Sequence, residues 1–153
     1  MFSGLHTQNG YVCDNLEEAI AEFRSRGLDR DPMIIPVDQV VQTPDGPKRQ
    51  QTRLSMFWLN GIQYELIQVI IDETNVYANA PGNGGAIRFH HVNLKVDDWD
   101  EFRASVDEQD FPVAFEGGGA DVKFLYLDAR SAFGHYIEYT WASEAAWEQM
   151  KAM

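Results

Sequence analysis

A chain of 153 residues with 44% hydrophobic and 24% charged content lies in the ordinary globular range and can bury one good core, as one domain or as two fused half-domains. Twelve basic residues against 24 acidic ones leave a formal net charge of -12, which repels phosphate backbones and anionic lipid surfaces, so neither nucleic acid nor a membrane is an expected partner. No apolar stretch approaches the ~18 residues of a membrane span, and the opening MFSGLHTQNG lacks the basic start and apolar run of an export signal; a soluble, cytoplasmic protein is expected.

The first predicted element is a strand through QNGYVC that begins at Gln8 and runs into a helix. Cys13, the single cysteine, lies in this strand; it has no intrachain partner and reads as a buried structural thiol. Asp14-Asn15 followed by Glu18 forms a capping-box-like helix start, in which short polar side chains and the glutamate satisfy unpaired backbone N–H groups. Leu16, Ile20 and Phe23 recur at helical spacing as its buried face, and Gly27 is placed to stop it. MIIPVDQVV and TRLSMFWLN are strand candidates on either side of the turn-rich TPDGPKRQQ, a natural site for a longer hairpin. GIQYELIQ closes this first module, which spans 1–75. A segment rich in Asn, Gly and Pro follows and serves as a linker over 76–86. A second module spans 87–142. Its first strand carries His91, and Asp97-Asp98 with Glu101 starts a helix whose buried face is Trp99, Phe102 and Val106, with Pro112 placed to stop it. PVAFEG, VKFLYLDA and GHYIEYT supply three more strands. Residues 143–153 are helix-prone and are expected to pack Trp147 on another surface, a second subunit included; a homodimer is expected.

The two modules are copies. An offset of 83 lays Gln8 and its strand-helix run over His91 and its own, and an offset of 73 lays Glu65 over Glu138. The ten-residue difference falls at TPDGPKRQQ, where a loop absorbs a length change cheaply. Each copy therefore reads β-α-β-β-β.

Strand alternation then sorts the side chains by face. Val92, Leu94 and Val96 should pack on the helix, which sends His91, Asn93 and Lys95 the other way and places His90 on the opposite face from His91. In the first copy Gln8, Gly10 and Val12 oppose Asn9, Tyr11 and Cys13. Glu65 and Glu138 sit in equivalent apolar strands, where a carboxylate is costly to bury unless it is paired or binds metal. If the first and last strands of each copy share one concave side, Gln8, Glu65, His91 and Glu138 meet on a pseudo-two-fold axis. One imidazole, one amide oxygen and two carboxylates suit Zn²⁺, Mn²⁺, Co²⁺, Ni²⁺ or Fe²⁺, and the lack of sulfur argues against a closed structural zinc site. Phe57, Phe124 and Tyr126 alternate on strands placed to line the concavity as substrate contacts, with plain core packing as the alternative; Asn93 is a further candidate contact. Gly117-Gly118-Gly119 lacks the strand-to-helix context of a phosphate loop and reads as a hairpin or a lid.

The strings QNGYVCDNLEEAI, YELIQ, HHVNLKVDD and GHYIEYT, spread from about Leu5 to Thr140, resemble the vicinal oxygen chelate superfamily, near glyoxalase I and methylmalonyl-CoA epimerase. The resemblance implies an α+β fold in which two tandem βαβββ modules form an eight-stranded, cup-shaped mixed sheet with helices outside. Carried over position by position, it places the metal ligands on Gln8, Glu65, His91 and Glu138; His6 would replace Gln8 only in a shifted register. The implied activity is that of a metal-dependent lyase or isomerase, epimerase-like, moving a proton next to a metal-chelated carbonyl of a small organic substrate, with Glu138 as base and Glu65 as its partner. Two alternatives stand beside it: an Fe²⁺ extradiol-type dioxygenase, and a non-catalytic, antibiotic-sequestering binding protein. No glutathione-binding signature is evident.

Overall fold

The computed structural model describes residues 3–80 and 85–153. The first half contains β1 (Leu5–Cys13), α1 (Leu16–Ser25), β2 (Ile34–Thr43), β3 (Gly46–Leu59) and β4 (Ile62–Asp72), followed by a 3-10 turn at Tyr77–Asn79. The second contains β5 (Ile87–Lys95), α2 (Trp99–Ser105), β6 (Val113–Gly118), β7 (Val122–Leu127), the four-residue α3 (Arg130–Phe133), β8 (Tyr136–Ala142) and a final helix, α4 (Glu144–Lys151). Of the linker expected over 76–86, residues 81–84 lie outside the described residues. Among the described residues, no helix is long and apolar enough to cross a membrane.

All eight strands close into one mixed barrel in the order β1-β4-β3-β2-β6-β7-β8-β5. In each half the first and last strands pair in parallel, β1 with β4 and β5 with β8. The halves join through a long antiparallel seam between β1 and β5. On the far side a single pair, Gln42 with Glu116, bridges β2 and β6. The resulting cup has a well-laddered back wall, and that wall carries the first strand of each repeat.

Local chemistry explains the elements. The Asn15 and Asp98 side chains each accept a 2.9 Å hydrogen bond from the backbone N–H three residues on, at Glu18 and Glu101, which caps both helices. The apolar faces of α1 and α2 then cover the outside of the sheet. Leu16, Ala19 and Ile20 pack with Cys13, Phe57 and Leu66, while Phe102 and Val106 pack with Leu94, Val96, Leu125 and Ile137. Burial lifts the Cys13 thiol to about 11, so it stays protonated and unreactive. Asn60 and Gly61, with φ of 53° and 83°, turn β3 into β4 in two residues; positive φ at both positions is what a type I′ hairpin needs.

Two expectations, the stop at Pro112 and the place of Phe57, are corrected, and two others, the longer hairpin and the packing surface of Trp147, are located. TPDGPKRQQ carries the longer hairpin, through longer strands rather than a longer loop. Thr43 pairs with Gly46, and the Thr43 hydroxyl accepts from the Asp45 N–H and donates to the Gly46 carbonyl, so the turn closes in two residues. The extra residues lengthen β2 and β3 to 10 and 14, against 6 each for β6 and β7. Helix α2 ends before Pro112, passing through a 3-10 turn at Val106–Glu108, because the Gln109 side chain takes the Val106 and Phe111 carbonyls and the Phe111 N–H. Trp147 packs within its own chain, edge-on to Trp58 at 6.3 Å. Phe57 does not line the cup: it is fully buried beneath α1, stacked on Tyr64 and edge-on to Phe23. On β3 the inward side chains are Leu54 and Met56, which leaves Phe57 outward by alternation.

Phe57→Leu should therefore lower unfolding free energy by about 1 kcal/mol and leave divalent-cation affinity unchanged. Denaturant titration alongside calorimetry checks both, and a changed cation affinity with unchanged stability would contradict the outward placement.

Candidate metal centre

Glu65 on β4, His91 on β5 and Glu138 on β8 converge inside the barrel, with one ligand atom from each lying within 4.8 Å of the others. The His91 Nε2 is 3.5 Å from a Glu65 carboxylate oxygen and 3.3 Å from one of Glu138. Gln8 on β1 completes the group, its Oε1 standing 3.5 Å from the same nitrogen. Its amide nitrogen is occupied elsewhere, donating to Gln63 Oε1 at 2.9 Å and to Met56 Sδ, which turns the oxygen toward the centre. All four side chains are buried.

The two-fold relation is visible in the ladders. Gly10 lies opposite Glu65 in the β1/β4 pairing, and Asn93 lies opposite Glu138 in β5/β8. A glycine is required at the first place, because a Cβ on Gly10 would stand 1.9 Å from the His91 ring. At the second, Asn93 holds its neighbour: its Nδ2 donates to Glu138 at 2.6 Å and to the Thr140 hydroxyl, while its Oδ1 accepts from Thr7. Glu138 is thus held by a side-chain donor on the adjacent strand.

The seam itself departs from regular alternation. The β1/β5 register shifts between His6 and Gln8 and again between Gly10 and Tyr11, and each shift inserts one extra residue, a β-bulge. The extra residues, Thr7 and His90, occupy equivalent places in the two copies, and both are buried beside the residue of the central group that follows them, Gln8 or His91. His90 is therefore not on the face opposite His91, as alternation implied; its Nδ1 lies 2.9 Å from the His91 Nδ1. Burial first, and His91 beside it, push the His90 pKa well below its ordinary value. The bulge at Thr7 puts His6 outside, where its ring meets the Asn9 side chain and the Gln8 carbonyl. His6 is not on the face of Gln8 and is not at the centre.

Above the four residues lies a cavity of about 190 Å³, small against the roughly 300–1,000 Å³ of common ligand pockets. Phe124, Tyr126 and Asn93 line it, as the sequence suggested, together with Met56, Tyr77, Trp147 and others. Three of its features were missed. Tyr77 comes from the segment taken as linker, and Trp147 and Met150 come from α4, which lies across the mouth. Trp58 Nε1 and Gln63 Nε2 both donate to the Met150 carbonyl. Turn-rich composition concealed the tyrosine, and nothing in the sequence says where a short terminal helix docks. The Tyr77 and Tyr126 hydroxyls bond to each other, and burial with the nearby carboxylates raises both well above the ordinary phenol range, so they remain hydrogen-bond donors.

A divalent cation fits these residues. Burial, followed by the charge of Glu138, pushes the Glu65 carboxyl up to about 7, against a partial offset from His91. Two ionised carboxylates buried around one imidazole cost several kcal/mol, on the order found for uncompensated buried ions; a cation among them removes that cost. The donors, oxygen and imidazole without sulfur, are of the hard to borderline type that Zn²⁺, Mn²⁺, Co²⁺, Ni²⁺ and Fe²⁺ accept.

Comparison with known proteins agrees with the architecture. Residues 7–126 match the family model of the Glyoxalase/Bleomycin resistance protein/Dioxygenase superfamily. No curated protein sequence matches the chain. Among solved structures, a hypothetical protein from Bacillus halodurans C-125 aligns with a TM-score of 0.62 at 17% identity, covering 93% of this chain and 96% of its own. A methylmalonyl-CoA epimerase in complex with methylmalonyl-CoA and NH4+ gives 0.60 at 15% identity, covering 92% and 96%. The methylmalonyl-CoA epimerase from Mycobacterium tuberculosis gives 0.59 at 17%, covering 95% and 92%. At these identities the likeness is one of fold.

Two outcomes are expected. Gly10→Ala should displace the His91 ring and weaken divalent-cation binding at least tenfold by calorimetry, and unchanged affinity would show that the ring has room to move. The second concerns pH. A raised pKa means that the metal-free fold favours protonated Glu65, so its contribution to stability falls as pH rises from about 4.5 to about 7. A cation needs the ionised carboxylate, so the rise in Tm that it causes should grow across that window. A rise independent of pH contradicts this.

Proposed function

Because this chain belongs to the Glyoxalase/Bleomycin resistance protein/Dioxygenase superfamily, we propose that it is a divalent-metal-dependent lyase or isomerase that moves a proton next to a carbonyl of a small organic substrate. The observation that carries this reading is the pair of buried carboxylates, Glu65 and Glu138, that both reach the Nε2 of one imidazole at the bottom of the cavity. Gln8, Glu65, His91 and Glu138 would hold the cation. When bound, it polarises the carbonyl and stabilises the negative charge that develops on its oxygen.

The chain's own residues supply the rest. Asn93 fixes Glu138, which favours a positioning role for that carboxylate. What supports Glu65 as the group that carries the proton is that, among the described residues, no side-chain donor holds it as Asn93 holds Glu138, which leaves it freer to act as general base and acid. Glu138, the second carboxylate beside the same imidazole nitrogen, can return the proton, and a carboxylate pair of this kind suits epimerisation or isomerisation. The sequence expectation gave the first step to Glu138; the geometry favours the reverse order. Tyr77 and Tyr126, kept protonated and bonded to each other, leave one hydroxyl hydrogen between them to donate to a substrate oxygen. Phe124, Met56 and Trp147 shape an apolar wall, to which α4 contributes the tryptophan.

Size and charge narrow the substrate. The cavity is small, and the lysine on its lining, Lys95, is already paired with Asp97 and set over the Trp147 ring. Methylmalonyl-CoA is bound by one of the structural neighbours, but this mouth favours a compact molecule with adjacent oxygen atoms. The dioxygenase alternative is disfavoured, since its chemistry calls for two histidines and a carboxylate and His6 is outside the cup.

Solvent-deuterium exchange tests the proposal. In D2O with added Mn²⁺, Co²⁺ or Zn²⁺, the protein should catalyse exchange at the carbon beside the carbonyl of small α-hydroxy ketones faster than of methylmalonyl-CoA. Glu65→Gln should abolish exchange, a loss of at least a hundredfold, while ligand still binds. Exchange that persists in Glu65→Gln, or that is indifferent to cation, would refute the assignment.

A further inference from the structure

His90, which the proposed reaction does not use, makes two contacts through its ring nitrogens. Its Nε2 is 3.2 Å from the Val76 backbone carbonyl, and its Nδ1 is 2.9 Å from the Nδ1 of His91. Both rings are fully buried. A carbonyl oxygen can only accept, so the His90 Nε2 carries a hydrogen. The two Nδ1 atoms then share one more hydrogen, since a 2.9 Å contact requires one donor and one acceptor. The His90 ring is enclosed by Tyr77, Tyr126 and Tyr136, so a second proton on it would leave a buried cation among neutral aromatic groups. With His90 neutral, its Nδ1 is the acceptor and the hydrogen belongs to His91 Nδ1. The His91 Nε2 is then a bare lone pair, aimed at Glu65, Glu138 and the Gln8 oxygen.

We propose that His90 is a positioning residue that fixes His91 in the Nδ1–H tautomer, so that the nitrogen facing the cup is pre-set to bind a cation rather than to donate a hydrogen bond. This inference rests on reading His91 as a metal ligand. The bulge makes it possible: in a regular strand His90 would face the helices, whereas the register shift beside His91 turns both rings inward. Thr7, at the equivalent bulge in the other copy, reaches Asn93 and through it Glu138. Each bulge thus places a residue that orients a neighbouring ligand, one a carboxylate and the other an imidazole. The Val76 carbonyl ties the arrangement to the turn that also delivers Tyr77.

The test is nitrogen-15 NMR of the histidine side chains in the metal-free wild type, with cation affinity measured in variants. His91 is expected as the Nδ1–H tautomer with a bare Nε2. His90→Leu should lose that single tautomer and bind Co²⁺ or Zn²⁺ about 10- to 100-fold more weakly. His90→Asn, whose amide oxygen can accept at the Nδ1 place, should restore most of the affinity. An Nε2–H tautomer for His91 in the wild type overturns the proposal, as does a folded His90→Leu that binds cation as tightly as wild type. If His90→Leu does not fold, the wild-type tautomer decides alone. Failure of the metal-centre reading is separate: it appears as wild-type protein that takes up no cation, whichever tautomer is found.

Discussion

Two carboxylates and one imidazole enclosed in a barrel interior form the constraint around which the rest of this structure is arranged. Neither glutamate can be ionised there cheaply without a partner, and the surrounding side chains are disposed to hold the three groups together. Gly10 leaves space for the imidazole. Asn93 holds one carboxylate. Gln63 and Met56 occupy the nitrogen of Gln8 and present its oxygen. Each of these residues lies on the strands that form the back wall or on the strand beside it, where ladder hydrogen bonds fix the backbone.

The repeat is what places such costly groups at one point. A single βαβββ unit offers one carboxylate and one amide on adjacent parallel strands; pairing two units along β1 and β5 brings a second carboxylate and the imidazole onto the same axis. The copies are alike in ladder register and unlike in chemistry. Where the first has Gly10, the second has Asn93; where the first has Thr7, the second has His90. The differences fall on residues that touch the ligands, while the helix caps at Asn15 and Asp98 and the outer cores stay equivalent. Symmetry supplies the geometry, and departures from it give Glu65 and Glu138 different surroundings.

Much of this was legible in the sequence because both offsets are long-range statements about position. The offset of 83 identified Gln8 with His91 and the offset of 73 identified Glu65 with Glu138, and these four side chains do meet. What was not legible lies where strand alternation fails. A bulge adds one residue and reverses the face of its neighbours, so His90 turned inward and His6 outward against the period-2 reading. Phe57 was misplaced for a simpler reason, since an aromatic residue on a strand fits either face. Tyr77 was concealed by the Asn- and Pro-rich composition around it, and the docking of α4 over the mouth depends on Trp58 and Gln63, distant contacts that no local pattern encodes.

Oxygen and nitrogen donors converge inside the barrel in an arrangement that fits a cation. Titrating the metal-free protein with Co²⁺ while recording its visible absorption measures this directly. One equivalent per chain, taken up with the d–d spectrum of an oxygen- and nitrogen-ligated ion and displaced by Zn²⁺, is the predicted result. A chain that binds no cobalt, or whose cobalt spectrum is unchanged when His91 and Glu138 are both replaced by alanine, contradicts it.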